Sequence, residues 1–157
     1  MESVPDLPAA AADCPRLEES LCFAIYSANH AFTAAYRPLL EPLGLTYPQY
    51  LVLLVLWEGG EPGVKEIGAR LHLDSGTLTP LLKRMEAAGL LRRERSAEDE
   101  RQVRIRLTEK GRELRARTAG VQDGLCRALG NAGDALAVLR ADLAGVAARL
   151  RAGAERG

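Results

Sequence analysis

The order of elements between Val64 and Leu107 is the feature that most constrains the fold of this sequence. Val64 to Leu71 has the apolar spacing of a short helix, and Asp74 is placed to cap a second helix that ends before Gly89. That second helix has one apolar face, formed by Leu78, Leu81, Leu82 and Met85. The segments RRERS and QVRIRL then flank a charged tip, AEDER, and the alternation in QVRIRL is typical of a half-buried strand. A short helix, a turn, a second helix and a hairpin follow each other in this order in a winged helix-turn-helix.

Helical patterns flank this segment on both sides. A first helix is predicted from about residue 17, ended or bent by Pro38 and Pro42, and Thr46 is placed to cap the next one. After the hairpin, Thr108 caps a helix that carries the chain toward residue 126, and Gly130 and Gly133 break it. The last helix has an apolar seam with alternating spacings of three and four residues: Leu136, Leu139, Leu143, Val146 and Leu150. Such a seam is suited to packing on the first helix or on a second subunit.

These patterns predict a mainly α-helical fold with a small β-hairpin wing. We expect a flexible tail over residues 1–15 and a single domain over 16–157. Within that domain, a winged helix-turn-helix lobe at about 47–107 lies between dimerisation helices at about 17–43 and 109–152. The prediction is therefore a homodimer.

Composition bounds the class of protein. The chain has 157 residues, of which 47% are hydrophobic and 27% charged, enough for one domain with a buried core. Its longest apolar run, from Tyr50 to Trp57, is too short to cross a bilayer, and the acidic start MESVPD is unlike a secretory signal. We therefore expect a cytoplasmic protein with no membrane partner.

The balanced total charge hides a basic segment in the middle of the chain. Residues 1–82 have 4 basic and 10 acidic side chains, residues 83–117 have 12 and 7, and residues 118–157 have 5 and 4. The middle segment is thus positively charged, as expected of a surface that faces phosphates. A charged stretch by itself is more often a solvated face, so this asymmetry needs a second observation.

The second helix and the hairpin provide that observation. Hydroxyl and basic side chains near a helix N-terminus bind phosphates and base edges, and arginine at a hairpin tip suits the minor groove. The candidates for binding double-stranded DNA are Ser75, Thr77, Thr79, Lys83, Arg84, Arg93, Asp99 and Arg101. In this set, the carboxylate of Asp99 is expected to hold the guanidinium of Arg101 by an ion pair. The alternative is an ordinary capped helix with a solvated surface.

The three cysteines, Cys14, Cys22 and Cys126, cannot all pair within one chain. Neither histidine lies at a metal-ligand spacing from a cysteine, and the sequence has no glycine-rich phosphate loop and no Ser/His/Asp set, so we predict no metal, no cofactor and no enzyme. Cys22 and Tyr26 are four residues apart on one helix face, where a phenol can stabilise a reactive thiolate. The alternative is that Cys22 is an unreactive cysteine in the core beside core tyrosines, because that arrangement has the same spacing.

The stretch from Leu21 to about Leu114 resembles the MarR family of dimeric winged-helix repressors. LDSGTLTPLLKRMEAAGLL and DERQVRIRLTEKG match the recognition helix and wing of that family, and Asp99-x-Arg101 stands where it has a wing-tip Asp-x-Arg. The segments LCFAIYSANH, AAYRPLL and LTYPQYLVLLVLWE are similar to its organic-hydroperoxide-responsive, OhrR-type branch.

This resemblance implies a redox-sensing repressor that releases its near-palindromic operator when organic hydroperoxide, the inducer, oxidises Cys22. It implies that Tyr36 and Tyr47 hydrogen-bond the reactive sulfur across the dimer interface, with Tyr26 nearby. It also implies that Cys126 of the partner subunit resolves the oxidised sensor as a disulfide, as in two-cysteine members. Cys14 is interpreted as a bystander.

Two other functions remain open at this point. One is a MarR repressor that responds to a small aromatic acid, which leaves Cys22 and Cys126 without a purpose. The other is a thiol peroxidase using the same two cysteines, which has no need of a recognition helix or a wing.

Overall fold

The structure, a computed structural model, describes residues 16–130 and 132–155. The predicted flexible tail at 1–15 lies outside the described residues. The regular elements are α1 (Leu21–Leu40), α2 (Tyr47–Trp57), α3 (Val64–Leu71), α4 (Ser75–Ala87), β1 (Leu91–Arg95), β2 (Val103–Leu107), α5 (Glu109–Arg117), α6 (Ala119–Ala128) and α7 (Gly133–Ala154). The mainly helical fold with one β-hairpin is the predicted fold class.

The chain divides into two compact parts, one ending at Ala34 and the other beginning at Ala35. The described residues of the first part are a 3₁₀ turn at Leu17–Glu19 and the first 14 residues of α1. Several of its large apolar side chains are exposed, among them Leu21, Ile25 and Tyr26, whereas Phe23 and Phe32 are half-buried. The single domain predicted from residue 16 onward stays a prediction.

The second part contains the winged helix-turn-helix. α4 has the predicted buried face, and its four apolar side chains are at most 5% exposed. The core around this face is completed by α2, α3 and the hairpin, through Val52, Leu53, Ile67, Leu91 and Ile105. Burial of these apolar side chains is the main favourable contribution to the folding of the lobe.

The hairpin pairs β1 with β2 in antiparallel register, from Leu91 opposite Leu107 to Arg95 opposite Val103. The chain before α3 lies along β2, because Ile105 donates its backbone N–H to the carbonyl of Pro62 and Gly63 forms an isolated β-bridge with Arg104. The wing is therefore attached on its β2 side to the segment that enters the helix-turn-helix.

Helix caps predicted from the sequence are present. The hydroxyl of Thr46 accepts from the N–H of Gln49 in a capping box, and that of Thr108 accepts from the N–H of Gly111 at 3.1 Å. Gly89 has a left-handed backbone with φ of 73° and ends α4.

Three helix boundaries differ from the predictions. α1 continues through Pro38 to Leu40, because a proline removes only its own N–H donor and the final turn persists. The helix expected from Thr108 toward residue 126 is split at Thr118, where the threonine hydroxyl donates to the carbonyl of Arg115 at 2.8 Å. The helix break predicted at both Gly130 and Gly133 lies at Gly130, which has a φ of 70°. Gly133 is instead the first residue of α7.

Candidate nucleic-acid interface and thiol site

The N-terminus of α4 is an exposed turn with a well-formed cap. The carboxylate of Asp74 accepts from the N–H of Thr77 at 2.8 Å and from its hydroxyl at 3.2 Å. These bonds, the backbone one first, lower the pKa of Asp74. The hydroxyl of Ser75 is exposed beside this cap, whereas Thr79 is half-buried.

The exposed face of α4 is formed by small residues as well as by the predicted basic side chains. Lys83 and Arg84 are exposed as expected. Gly76 and Pro80 lie on the same side, opposite the buried apolar face, and both are exposed. Because these two residues are small, the helix backbone is accessible to close approach.

The turn between α3 and α4 is tightly built. His72 ends α3 with a left-handed φ of 54°, and a Cβ on Gly68 would lie 2.7 Å from the carbonyl oxygen of Leu73. A glycine at position 68 therefore lets the turn fold closely over α3, which sets the position of α4.

At the wing tip, the hydrogen bonds of Asp99 differ from the prediction. The carboxylate of Asp99 accepts from the backbone N–H of Arg101 at 3.0 Å and from the side-chain amide of Gln102 at 3.3 Å. Among the described residues there is no ion pair between Asp99 and the guanidinium of Arg101, so the expected side-chain pair is wrong. The short aspartate is occupied by these nearer donors, which shapes the tip and leaves the guanidinium of Arg101 exposed.

Two ion pairs hold the strands of the hairpin to their neighbours. Arg93 on β1 donates to Glu86 on α4, both from its backbone N–H at 2.9 Å and from Nε at 2.8 Å. Arg106 on β2 pairs with Glu61 at 2.7 Å and lies 3.6 Å from Glu94. The guanidinium of Arg93 is thus directed to α4 within the lobe, and its predicted contact with DNA stays a prediction.

The second candidate site contains an aromatic cluster formed by Tyr36, Tyr47 and Tyr50. The rings of Tyr36 and Tyr47 stack with centroids 4.4 Å apart, and Tyr50 tilts against Tyr36 at 5.8 Å. Burial, helped by the nearby Tyr47, Tyr50 and Cys126, raises the pKa of Tyr36 to about 12. Burial also raises the pKa of Tyr47 and that of Tyr50. The three phenols are therefore neutral hydroxyls at ordinary pH.

Cys126 is exposed on α6, near Tyr36 of this cluster. Gln122, one turn earlier on α6, lies close to the Tyr50 hydroxyl and offsets part of the rise in the pKa of that tyrosine. Sequence reasoning missed Tyr50 and Gln122, although Tyr50 follows Tyr47 by three residues and Gln122 precedes Cys126 by four, so each shares a helix face with a named residue.

Cys22 belongs to the first part of the chain, where it is exposed on α1. Tyr26, one turn later, is exposed and packs against His30 with ring centroids 4.4 Å apart. The three residues are spaced by four and share one face of α1.

Two further observations concern the described residues as a whole. No group of three or more His, Cys, Asp or Glu side chains among them is arranged to hold a metal ion. No single described helix has both the length and the hydropathy needed to cross a membrane. The segments Leu21–Leu43 and Tyr47–Trp57 meet these two criteria only as a pair, and the chain bends sharply between them.

The fold and the exposed face of α4 define a winged helix-turn-helix protein, and comparisons with known proteins specify the family. The family described as Transcriptional regulator SarA/Rot matches residues 34–117. The Organic hydroperoxide resistance transcriptional regulator of Bacillus subtilis is 52% identical over 69% of this chain and 74% of its own length. The chain belongs to the MarR/SarA-type family of transcriptional regulators.

Other relatives are similar in sequence or structure. HTH-type transcriptional regulator TtmR of Methylorubrum extorquens is 64% identical over 67% of this chain, which spans only about half (54%) of that relative. Reduced AbfR bound to DNA, a structure of the Staphylococcus epidermidis protein, has a TM-score of 0.77 and 36% identity, over 86% of this chain and 94% of that one. A disulfide-formed AbfR has a TM-score of 0.61 and 38% identity over 79% and 92%. The curated relatives are regulators by name, in agreement with the expectation that the chain is not an enzyme.

Proposed function

We propose that this chain is a repressor that binds double-stranded DNA as a homodimer and releases it when organic hydroperoxide oxidises Cys22. The observation that carries the proposal is the 52% identity to a regulator of organic hydroperoxide resistance, over 74% of that relative. We further propose a cytoplasmic location, because the operator and the reducing pool are both there, and we propose no cofactor.

DNA binding is assigned to the exposed face of α4 and to the wing tip. Ser75, Thr77, Thr79, Lys83 and Arg84 would lie in or beside the major groove, with Arg101 in the minor groove. The exposure of these side chains, apart from the half-buried Thr79, and the absence of an ion pair on Arg101 among the described residues support this role. AbfR, a structural neighbour, is bound to DNA in its reduced form. A twofold dimer would then occupy two half-sites about 10 base pairs apart on a near-palindrome.

The chemistry of sensing starts at the sulfur of Cys22. Its thiolate attacks the terminal oxygen of the hydroperoxide, the O–O bond breaks, and the departing alkoxide takes a proton to become an alcohol. The sulfur is oxidised to a sulfenic acid and the peroxide is reduced by the same two electrons. The exposure of Cys22 on α1 supports access of the peroxide.

The tyrosines would assist this step as neutral donors. Because the pKa of Tyr36 is about 12, its hydroxyl keeps its proton and is available to donate to a thiolate or to the leaving oxygen. We assign the same role to Tyr47, which stacks on Tyr36. Tyr26, on the same helix as Cys22, would lie near the reactive sulfur.

Cys126 of the partner subunit would complete the response. Its thiol attacks the sulfenic sulfur of Cys22, the S–O bond breaks, and one water leaves as the disulfide forms. Exposure of Cys126 and the existence of a disulfide-formed AbfR support this assignment. Cellular thiols would reverse the reaction.

A second candidate, a repressor that responds to a small aromatic acid, is favoured by one cavity. A cleft of about 620 Å³ is lined by Leu56, Trp57 and Leu107 on its apolar side and by Arg106, Arg112 and Arg115 on its basic side. This volume suits a small molecule. Arg106 pairs with Glu61 and Arg112 with Glu109, whereas Arg115 has no acidic partner among the described residues and is the one available to a carboxylate.

A gel shift on the DNA upstream of the gene for this chain tests the proposal. Reduced protein should bind, and one equivalent of cumene hydroperoxide should abolish binding, which dithiothreitol should restore. Cys22→Ser should bind equally well and ignore the peroxide, with Cys14→Ser as the matched control that still responds. Release by salicylate in the Cys22→Ser variant would favour the aromatic-acid candidate, and peroxide turnover without DNA binding would favour a peroxidase.

A further inference from the structure

The side chain of Glu86 connects α4 to the first strand of the wing. One carboxylate oxygen accepts from the backbone N–H of Arg93 at 2.9 Å, and the other accepts from Nε of the same residue at 2.8 Å. These bonds, the backbone one first, lower the pKa of Glu86. One arginine and one carboxylate thus join the two elements through both the backbone and the side chain.

The alternation of the hairpin explains why Arg93 has this partner. Arg93 lies opposite Ile105 and on the same face as Leu91, both of which are at most 1% exposed. Its side chain is 31% exposed and that of Glu86 is 34% exposed. A charge on the inward face of a hairpin is costly unless it is paired, and Glu86 supplies the pair. Arg92, the preceding residue, lies on the outward face and is exposed.

We propose that Glu86 and Arg93 form a clamp that fixes the wing relative to α4, so that Arg93 is a positioning residue and not a DNA contact. This inference rests on the proposed function, since it concerns how two reading elements reach one duplex. α4 reads the major groove and the wing tip reaches the minor groove, so the offset between them must match the spacing of the grooves. Without the clamp, the position of the wing tip relative to α4 varies, although every DNA-binding side chain is still present.

Amide exchange tests the clamp without DNA. In Glu86→Ala, the Arg93 N–H loses its acceptor and should exchange with solvent at least about tenfold faster, as measured by NMR. Glu66→Ala is the matched control, because Glu66 is exposed on α3 in the same lobe and makes no ion pair among the described residues. Unchanged exchange at Arg93 would overturn the clamp, whatever the protein does to DNA.

The sign of the effect on DNA separates positioning from direct contact. If Arg93 were a phosphate contact restrained by Glu86, then removing the carboxylate would free the guanidinium and strengthen binding. The clamp predicts the opposite: Glu86→Ala weakens binding to the upstream duplex by about three- to tenfold and leaves binding to a scrambled duplex within about twofold. Fluorescence anisotropy with both labelled duplexes measures this ratio. A merely structural role would lower the melting temperature without changing the ratio in the folded protein.

Two further variants complete the test. Glu86→Gln, which retains an acceptor oxygen but not the charge, should fall between wild type and Glu86→Ala and provides a milder change if the alanine variant folds poorly. Arg92→Ala should weaken both duplexes alike, as expected of an outward charge. Tighter or unchanged operator binding by Glu86→Ala overturns the inference while leaving the proposed function intact. If wild type binds neither duplex, the proposed function fails, and the exchange experiment still decides whether the clamp exists.

Discussion

The phenol ring of Tyr36 stacks on that of Tyr47 with an interplanar angle of 21°, and this contact joins the end of α1 to the start of α2. Tyr50 tilts against the same ring from one turn further along α2. Tyr36 is buried, and this burial is the main cause of its raised pKa. A neutral phenol is thereby built into the junction between the two helices.

Tyr36→Phe should change how the protein responds to alkaline pH. The pKa of Tyr36 rises from 10.0 to about 12 on folding, so its contribution to stability is fully present below pH 10 and is lost as the pH rises toward 12. The phenylalanine variant should therefore lose less stability over that interval, as followed by urea unfolding at several pH values. Tyr26→Phe, at an exposed position, is the control and should behave as wild type. Equal alkaline losses in all three proteins would contradict the assignment.

Gly111→Ala should destabilise the fold through a backbone clash. A Cβ at this position would lie 2.1 Å from the carbonyl oxygen of Leu90, and the carbonyl of Gly111 accepts the buried indole N–H of Trp57. Because the clash is with a backbone atom, only a shift of the chain can relieve it, and we expect a loss of about 2 kcal/mol or more in the free energy of unfolding. Fluorescence of Trp57, the sole tryptophan, reports unfolding in denaturant.

Gly120→Ala is the matched control for that variant. Gly120 is helical in α6 and has nothing within 4 Å of its Cβ position. The alanine should stabilise the protein by about 0.5–1 kcal/mol, since it restricts the unfolded chain at no steric cost. If both alanine variants were equally stable, close packing at Gly111 would not be the reason for the glycine.

The parts of the fold that were predictable depend on local interactions. The apolar spacing of α4 and the caps at Asp74 and Thr108 are set within a few residues, so the sequence indicates them directly. The break at Thr118 was missed, because one threonine in a helical pattern is usually tolerated and here its hydroxyl competes for a helix carbonyl.

The partners of charged side chains were less predictable. Arg101 and Asp99 are two residues apart, which favoured a side-chain pair, but the carboxylate binds the nearer backbone N–H. Arg93 was predicted to contact DNA, whereas its partner Glu86 lies on another element and emerges only from the packing of α4 against β1. Tyr50 was not predicted as a site residue, because its contact with Tyr36 requires the turn between α1 and α2.

Leu139→Asp combined with Leu143→Asp should abolish dimerisation. α7 has no buried residues, and the two leucines are 51% and 40% exposed in the single chain, which leaves an apolar face for a partner to cover. Wild type should sediment as a dimer at micromolar concentration and the double variant as a monomer. Ala141→Asp, on the opposite side of the same helix, is the control and should remain dimeric. A wild-type monomer under these conditions would contradict the dimer prediction.

Arg101→Ala should remove one phosphate or minor-groove interaction per subunit without disturbing the wing tip. Asp99 accepts from the backbone N–H of residue 101, which alanine retains, so the tip should keep its shape. The slope of log K against log salt should then fall by about 0.9 for each phosphate that the variant no longer neutralises. Arg140→Ala on α7 removes the same charge away from the lobe and should leave the slope unchanged. Full affinity with an unaltered slope in Arg101→Ala would exclude Arg101 from the interface.

Cys126→Ser should separate oxidation from covalent linkage. Cys22 would still react with peroxide, since its nucleophile is intact, but no disulfide-linked dimer should form on a non-reducing gel. The sulfenic acid would persist and drift toward sulfinic acid, which mass spectrometry detects as a gain of two oxygens on the peptide that contains Cys22. Wild type should give a covalent dimer and resist this over-oxidation.

The geometry required for that disulfide extends the prediction to DNA release. A disulfide needs its two Cα atoms within about 7 Å, so any larger separation in the reduced dimer must be closed by movement of α1 or α6. Because α6 contacts the aromatic cluster through Gln122, such movement is expected to reach α2 and the lobe beyond it. After one equivalent of peroxide, Cys126→Ser should accordingly release a smaller fraction of its bound DNA than wild type. A covalent dimer that persists in Cys126→Ser and vanishes in Cys14→Ser would identify Cys14 as the resolving residue instead.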